Sequence, residues 1–591
     1  MRPGGGACAA SAERRRRRPG EHPGLSLMRR ASTRVRLHRL HRTLATKTRA
    51  AACAYTDAAA AKSLRASAAL PSSRARSEFA RVKMAPRATM RLLLALSLPL
   101  AFGGDPAALQ RAVASAVAAG ARSFTVPSGT YNFSALPAGA PATLAITNAT
   151  DFALVSGGAV EFVFPPIGGL RVSHSARVAL AGPFTIDAWP PFTTQGAVSG
   201  GVRDGKWFNF TLTLDAGFDL DAARFLPSRA IFFDPATRRF LPGQALCVTS
   251  ALHAAPLGGG GGRAWAVAVT FSCNPTLLVP DGSLCALTPT PGGPAVLIEN
   301  STAVAVTDLT SHAAAGFTLL EAGGGGGHTY TRYNVVRRPG SARLMASGAD
   351  VFHSTAVGAG ATLEDCELSF AADDLFAVHC ELGILWRRVN ATAYYVIDTS
   401  GAGGYGLPQA RPGDALYLYN MSLGMERVGV ATLAAFAAVT DAALIAEAQG
   451  AADYIRRVLR LPMRSFSVNL LLATLAPPGL PLGDFGALVE LPSRCGAGTT
   501  VRNSYLHDTN GGMRLKGSRV TVDSVRLENA YGMRMLPELY WTQSVSSNIT
   551  LRNNVLQGCG CSANAPHAIE YNADIVGLTL VNNTVLPANC T

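Results

Sequence analysis

Long apolar runs are absent from the body of this 591-residue chain. A membrane-spanning helix needs about 20 consecutive apolar residues. The nearest approach, Val430 to Ala448, carries Asp441 and Glu447 and reads as an amphipathic stretch. No membrane span is therefore expected in the mature protein. Charge is also scarce, at 15% of residues, and its basic excess is confined to one end: residues 1–90 hold 21 Lys+Arg against 4 Asp+Glu, whereas residues 91–591 hold 32 against 34. A nucleic-acid surface needs its cations on the folded body, so nucleic acid is excluded as a partner. The Gly323–Gly327 run has no Lys-Ser/Thr after it and reads as a flexible loop, not a phosphate cradle. Cys559-Gly560-Cys561 has no His/Cys cluster at ligand spacing, and neither a metal nor another cofactor is expected.

Glycine and proline, by contrast, are plentiful, at 60 and 35 residues, which points to a turn-rich all-β protein. Residues 1–83, with the Arg14–Arg18 run, read as a disordered basic leader. Residues 84–104 read as a secretory signal peptide: Arg91 opens a short apolar run from Leu92 to Leu100, followed by small residues. Nine Asn-x-Ser/Thr sequons follow, at Asn132, Asn148, Asn209, Asn300, Asn390, Asn420, Asn548, Asn582 and Asn589. Nine of the 11 cysteines also lie beyond the leader. The expectation is a secreted, lumenal or cell-surface glycoprotein with up to four disulfides. Cys366 and Cys380 bracket an acidic motif and are placed to staple one coil.

After the leader, Asp105-Pro106 opens a short amphipathic helix in which Leu109, Val113 and Val117 share a face and Gly120 stands at the end. Such a helix would cover the bare strand edges of a first rung. Short apolar runs then alternate with Gly/Ser/Asn turns in residues 105–190, 293–382 and 498–591. Strands of a few residues at this density predict a right-handed parallel β-helix with an N-terminal capping helix. Asn503, Asn553, Asn554, Asn582 and Asn583 fall at strand ends and read as stacked turn residues. Residues 191–292 and 383–497 break the rhythm, each for about 100 residues, and are expected to be two inserted small β-barrel domains.

Two motifs carry chemistry. Ala349-Asp350-Val351-Phe352-His353 and Asp373-Asp374-Leu375-Phe376-Ala377-Val378-His379 place Asp350 and Asp373 23 residues apart, about one coil of such a solenoid. Residues one coil apart stack about 4.8 Å from one another, so Asp350, Asp373 and Asp374 are expected on one wall. Glycoside hydrolysis requires such a set, one carboxyl as acid and another to activate water or attack the sugar. Mutual repulsion would raise the pKa of one of them. Which is acid and which is base is open from sequence.

The capping helix, the Phe192-Thr193-Thr194-Gln195-Gly196-Ala197-Val198 segment, the two aspartate motifs and a closing Tyr531-Gly532-Met533…Pro537-Glu538…Trp541 segment occur in one order. In this the chain resembles the α-1,3-galactosidase family of β-helix glycoside hydrolases across roughly residues 105–586. The resemblance implies inverting cleavage of terminal α-linked galactose-type sugars by Asp350, Asp373 and Asp374. His353, His379, Arg514, Glu538 and Trp541 are the candidate substrate-binding residues. Val351 and Leu375 stand where that family commonly has Gly, and side chains of this size are expected to narrow the pocket. The acid pattern is also similar to that of polygalacturonases, but their Arg-Ile-Lys signature should follow soon after the acids. Arg514-Leu515-Lys516 comes about 140 residues after Asp374. Two alternatives stay open: a non-catalytic secreted β-helix that binds glycans, and a polysaccharide lyase using bound Ca²⁺ with Arg387 or Arg388 as the base.

Overall fold

The computed structural model describes residues 104–136, 142–205, 207–220, 229–241, 249–258, 262–271, 279–289, 292–380, 382–398, 407–420, 426–458, 468–478, 486–535, 546–560, 567–571 and 575–586. It is a right-handed parallel β-helix. Helix α1 (Pro106–Ala118) opens it, with the Asp105 carboxylate accepting from the Ala107 and Ala108 amides and with Leu109 and Val113 buried. These bonds satisfy amide groups that a helix N-terminus leaves without partners. Among the described residues no helix is long and apolar enough to cross a membrane.

The wall that matters for function is a nine-stranded parallel sheet. In spatial order its strands are Thr143–Thr147, Gly169–Ser173, Val296–Glu299, Leu319–Ala322, Phe352–Thr355, Phe376–His379, Met513–Leu515, Met533–Met535 and Ile569–Tyr571. Side chains alternate between the faces of a strand, so the register sorts them into columns. Leu170, Val296, Leu319, Phe352, Phe376, Met513 and Met533 stack in one inward column, all within the same hydrophobic core. The Phe352 and Phe376 rings lie 5.0 Å apart and nearly parallel. The neighbouring column holds Arg171, Leu297, Leu320, His353, Ala377, Arg514, Arg534 and Glu570.

The turn asparagines behave as their positions suggest. Asn503, Asn553 and Asn582 take φ between 51° and 58°, the left-handed conformation that asparagine tolerates. Asn554 Nδ2 donates to Asn583 Oδ1 at 2.9 Å, one coil on, and its own Oδ1 accepts from the Val525 amide at 2.9 Å.

The two interruptions fold differently from each other. The strands between Thr194 and Thr288 pair as one six-stranded antiparallel sheet. Those between Leu382 and Glu490 close on themselves as a six-stranded barrel, with helix α2 (Ala442–Val458) packed outside through Ala448, Ala452 and Ile455. A disulfide joins Cys380 to Cys495 at the two ends of this barrel. It replaces the expected Cys366–Cys380 staple, because Cys366 is buried and free inside the solenoid while Cys380 sits where the chain leaves for the barrel. Cys247, Cys273, Cys561 and Cys590 lie outside the described residues.

Candidate active site

Asp350, Asp373 and Asp374 stand in the turns that lead into strands Phe352–Thr355 and Phe376–His379. The wall holds these turns in step: the Val351 amide donates to Asp374 O at 2.9 Å, and Leu375 N donates to Gly512 O at 2.9 Å. One oxygen from each of the three carboxyls lies within 4.8 Å of the others. Asp350 and Asp374 are each only 4% exposed, and Asp373 is half-buried. The sequence spacing did place the acids side by side.

Close approach is built into the backbone. Gly511 lies one coil beyond Asp374, and a Cβ there would meet Asp374 Oδ1 at 2.5 Å. The next amide, Gly512 N, donates to the same oxygen at 3.1 Å. On the other side a Cβ on Gly348 would strike the Phe192 ring at 2.4 Å, so Phe192 buttresses the loop that carries Asp350. Gln195 of the same segment is fully buried and accepts from the Leu344 amide at 2.9 Å.

Val351 and Leu375 do not narrow a pocket. Both are fully buried members of the solenoid core, on the opposite side of the backbone from the acids, so their size fills interior volume. That corrects the expectation from sequence.

The three acids sit in different electrostatic settings. Burial pushes Asp374 up to about 7; the Arg514 guanidinium at 3.0 Å opposes this, and the Asp373 and Asp350 charges add to it. Asp373 pairs with Arg229 Nη2 at 2.5 Å, and Arg229 Nη1 donates to Ala372 O at 3.0 Å. Asp350 Oδ2 lies 2.5 Å from His353 Nδ1. The ring of His353 continues to His379, Nε2 to Nε2 at 2.9 Å, and packs 4.7 Å from Phe317. Burial holds His379 well below the ordinary histidine range, and the neighbouring His353, Arg514 and Lys516 press the same way.

Six of the eight residues that the sequence singled out therefore come together: the three acids, His353, His379 and Arg514, which pairs with Asp374. Glu538 and Trp541 lie outside the described residues. The Arg514-Leu515-Lys516 segment is only one coil from the acids, since Arg514 pairs with Ala377 and the Lys516 amide donates to Val378 O at 2.9 Å. The barrel occupies the intervening sequence, which made the segment look remote. Arg229 was missed altogether; it belongs to the first insert, 144 residues before Asp373. Arg387 and Arg388 are not at the acids: Arg387 pairs with Glu447 at 2.7 Å and Arg388 donates to Asn390 O at 2.9 Å, both on the barrel.

The acid trio has the spacing to close on a cation. Two of its members, however, already face guanidinium groups, which weakens the attraction for a metal.

No family model and no curated protein matches the chain. Among solved structures it is similar to the catalytic unit of a thermostable GH87 alpha-1,3-glucanase from Streptomyces thermodiastaticus strain HF3-3, at 9% identity and a TM-score of 0.32, over 82% of this chain and 51% of that one. The chain thus matches about half the length of the glucanase unit. It is also similar to a polygalacturonase from Erwinia carotovora ssp. carotovora, at 11% identity and a TM-score of 0.27, over 79% of this chain and 94% of that one. A third similar structure is the Gp54 tailspike of Acinetobacter baumannii bacteriophage AP22 in complex with capsular saccharide, at 8% identity and a TM-score of 0.16, over 81% of this chain and 67% of that one.

Proposed function

We propose that this protein is a glycoside hydrolase acting on terminal α-linked galactose-type sugars. The observation that carries the reading is one buried carboxyl, Asp374, held near pKa 7 within 4.8 Å of two other carboxyls, one of them paired with an arginine. A glycosidase needs one acid that keeps its proton near neutrality and another that is charged. Asp374 is the proton donor to the departing sugar oxygen. Asp373, with Arg229 behind it, supplies negative charge to the developing oxocarbenium ion. Arg514 fixes Asp374 and His353 holds Asp350, while Phe317, packed against the His353 ring, offers a ring face to the sugar. The galactose-type specificity rests on the order of the motifs in the sequence. Six sequon asparagines, at 132, 148, 209, 390, 548 and 582, are exposed, in keeping with a glycosylated protein of the secretory route.

The stereochemistry has two readings. Sequence resemblance implies inversion, with water delivered by a carboxylate. The close spacing favours retention, because inverting pairs usually stand about 6.5–9.5 Å apart and retaining pairs about 5–5.5 Å. Proton NMR of the first product formed from an aryl α-galactoside separates them, since inversion gives the β-anomer and retention the α. Release of free galactose that is lost in Asp373→Asn and Asp374→Asn supports hydrolysis. No release from any terminal α-galactoside, with saturable glycan binding, would replace it with the binding reading. An unsaturated product whose formation a chelator abolishes would replace it with the lyase.

A further inference from the structure

The hydrogen-bond chain from Asp350 through two histidines fixes a proton count. At its far end His379 Nδ1 faces the Cys380 carbonyl at 3.2 Å and the Thr355 hydroxyl at 3.4 Å. A carbonyl only accepts, so Nδ1 carries hydrogen. His379 is fully buried and held neutral, so its Nε2 is bare and accepts. His353 Nε2, 2.9 Å away, must then be the donor. One proton is left for the 2.5 Å contact between His353 Nδ1 and Asp350 Oδ2. The dyad therefore holds that proton either as imidazolium and carboxylate or as imidazole and carboxylic acid, and its net charge is zero in both forms. The groups around it are Asp374 with Arg514 and Lys516 on the following coils, Asp373 with Arg229 from the insert, and the Phe317 ring before it.

We propose that His353, locked in one tautomer by His379, is the positioning residue that lets Asp350 serve as the base of the reaction. A carboxylate that is 4% exposed beside two more acids needs a compensating cation, and the dyad's proton on His353 supplies it. Asp373 is held in place by Arg229 and faces the developing charge on the sugar, which leaves Asp350 to take the proton of the attacking water. The cycle balances. Asp374 gives its proton to the glycosidic oxygen as the bond from that oxygen to the anomeric carbon breaks. The water oxygen bonds to that carbon, and the water proton goes to the free oxygen of Asp350. Asp350 then returns a proton to Asp374, less than 5 Å away, and the buried site is restored without exchanging a proton with bulk solvent. This role rests on the inverting, water-delivering form of the hydrolase reading, whereas the proton count stands without it.

The test is long-range ¹⁵N–¹H correlation of full-length protein labelled at histidine. One ring is expected to be protonated on both nitrogens near pH 7 and to be missing in His353→Gln. Another is expected as the Nδ1–H tautomer and to be missing in His379→Asn. In Asp350→Asn the doubly protonated ring should become neutral. Two neutral rings in the Nε2–H form in the wild type would overturn the proposal, whatever the activity. In kinetics, His353→Gln should lower kcat about 100-fold and move the acidic limb of the kcat/KM profile to higher pH. A fall in kcat with that limb unmoved would make His353 a merely structural residue and overturn the proposed role. The expected spectra without turnover of any glycoside would sink the hydrolase reading and leave the proton count intact.

Discussion

The two insertions leave the same solenoid and do opposite things. The first opens as a sheet and sends basic side chains back to the coils. Arg229, at the start of strand Arg229–Phe233, reaches Asp373. Arg239, beyond the end of that strand, spans Asp508 at 2.8 Å and Glu528 at 2.5 Å. Asp508 is fully buried and also takes hydrogen bonds from the Phe240 amide and from Asn529. The strand is thus pinned close to both ends, and its first residue is aimed at the acids. The second insertion closes into a barrel, keeps its core to itself and is tied off at its base by Cys380–Cys495. Arg387 pairs with Glu447 and Glu490 accepts from the Tyr419 hydroxyl within the barrel, and Arg494 at its exit donates to Gly324 O on the coil beneath. An insertion becomes part of a site when it gives up its own closure to complete the host's electrostatics.

Substitutions can break this contrast. The largest effect belongs to the host coil: Asp374→Asn should lower kcat by about 10⁴-fold, measured as initial rates on an aryl α-galactoside. The same variant should melt higher than wild type at pH 8. Asp374 is raised in the fold, so its contribution is favourable at low pH and is lost as pH rises through about 7; asparagine removes that loss, and the gap should close toward pH 4. Next comes the barrel's tie. The disulfide closes a sequence separation of 115, and Cys380→Ser with Cys495→Ser should cost about 4–5 kcal/mol in denaturant unfolding while kcat stays near wild type. Arg239→Met should cost about 3 kcal/mol by leaving Asp508 under-compensated, and amide exchange should speed up in strand Arg229–Phe233. Smallest in free energy is Arg229→Met, with kcat down about 100-fold and little change in melting. Equal losses of activity from opening the disulfide and from Arg229→Met would erase the distinction between the inserts.

How much of this could be read from the chain follows from distance in sequence. The coil period is local, so two aspartates 23 residues apart predicted their own meeting. The histidines came with them because they lie on the same strands, His353 two positions along from Val351 and His379 three along from Phe376. Arg229 was hidden because nothing local marks a strand-end arginine as reaching a coil 144 residues later. Lys516 was hidden by the barrel, which lengthens the path between rungs without moving them apart. The bulk of Val351 and Leu375 misled, since a one-dimensional motif does not say which face of the backbone a side chain takes.

The pH dependence of kcat/KM bears most directly on the claim that three stacked acids form a hydrolytic centre with Asp374 as its proton donor. The account predicts a rate that falls as pH rises above about 7, where Asp374 gives up its proton, and it predicts that this fall is absent from the residual activity of Asp374→Asn. A profile flat from pH 6 to about 9, or an alkaline fall that persists in that variant, would contradict it.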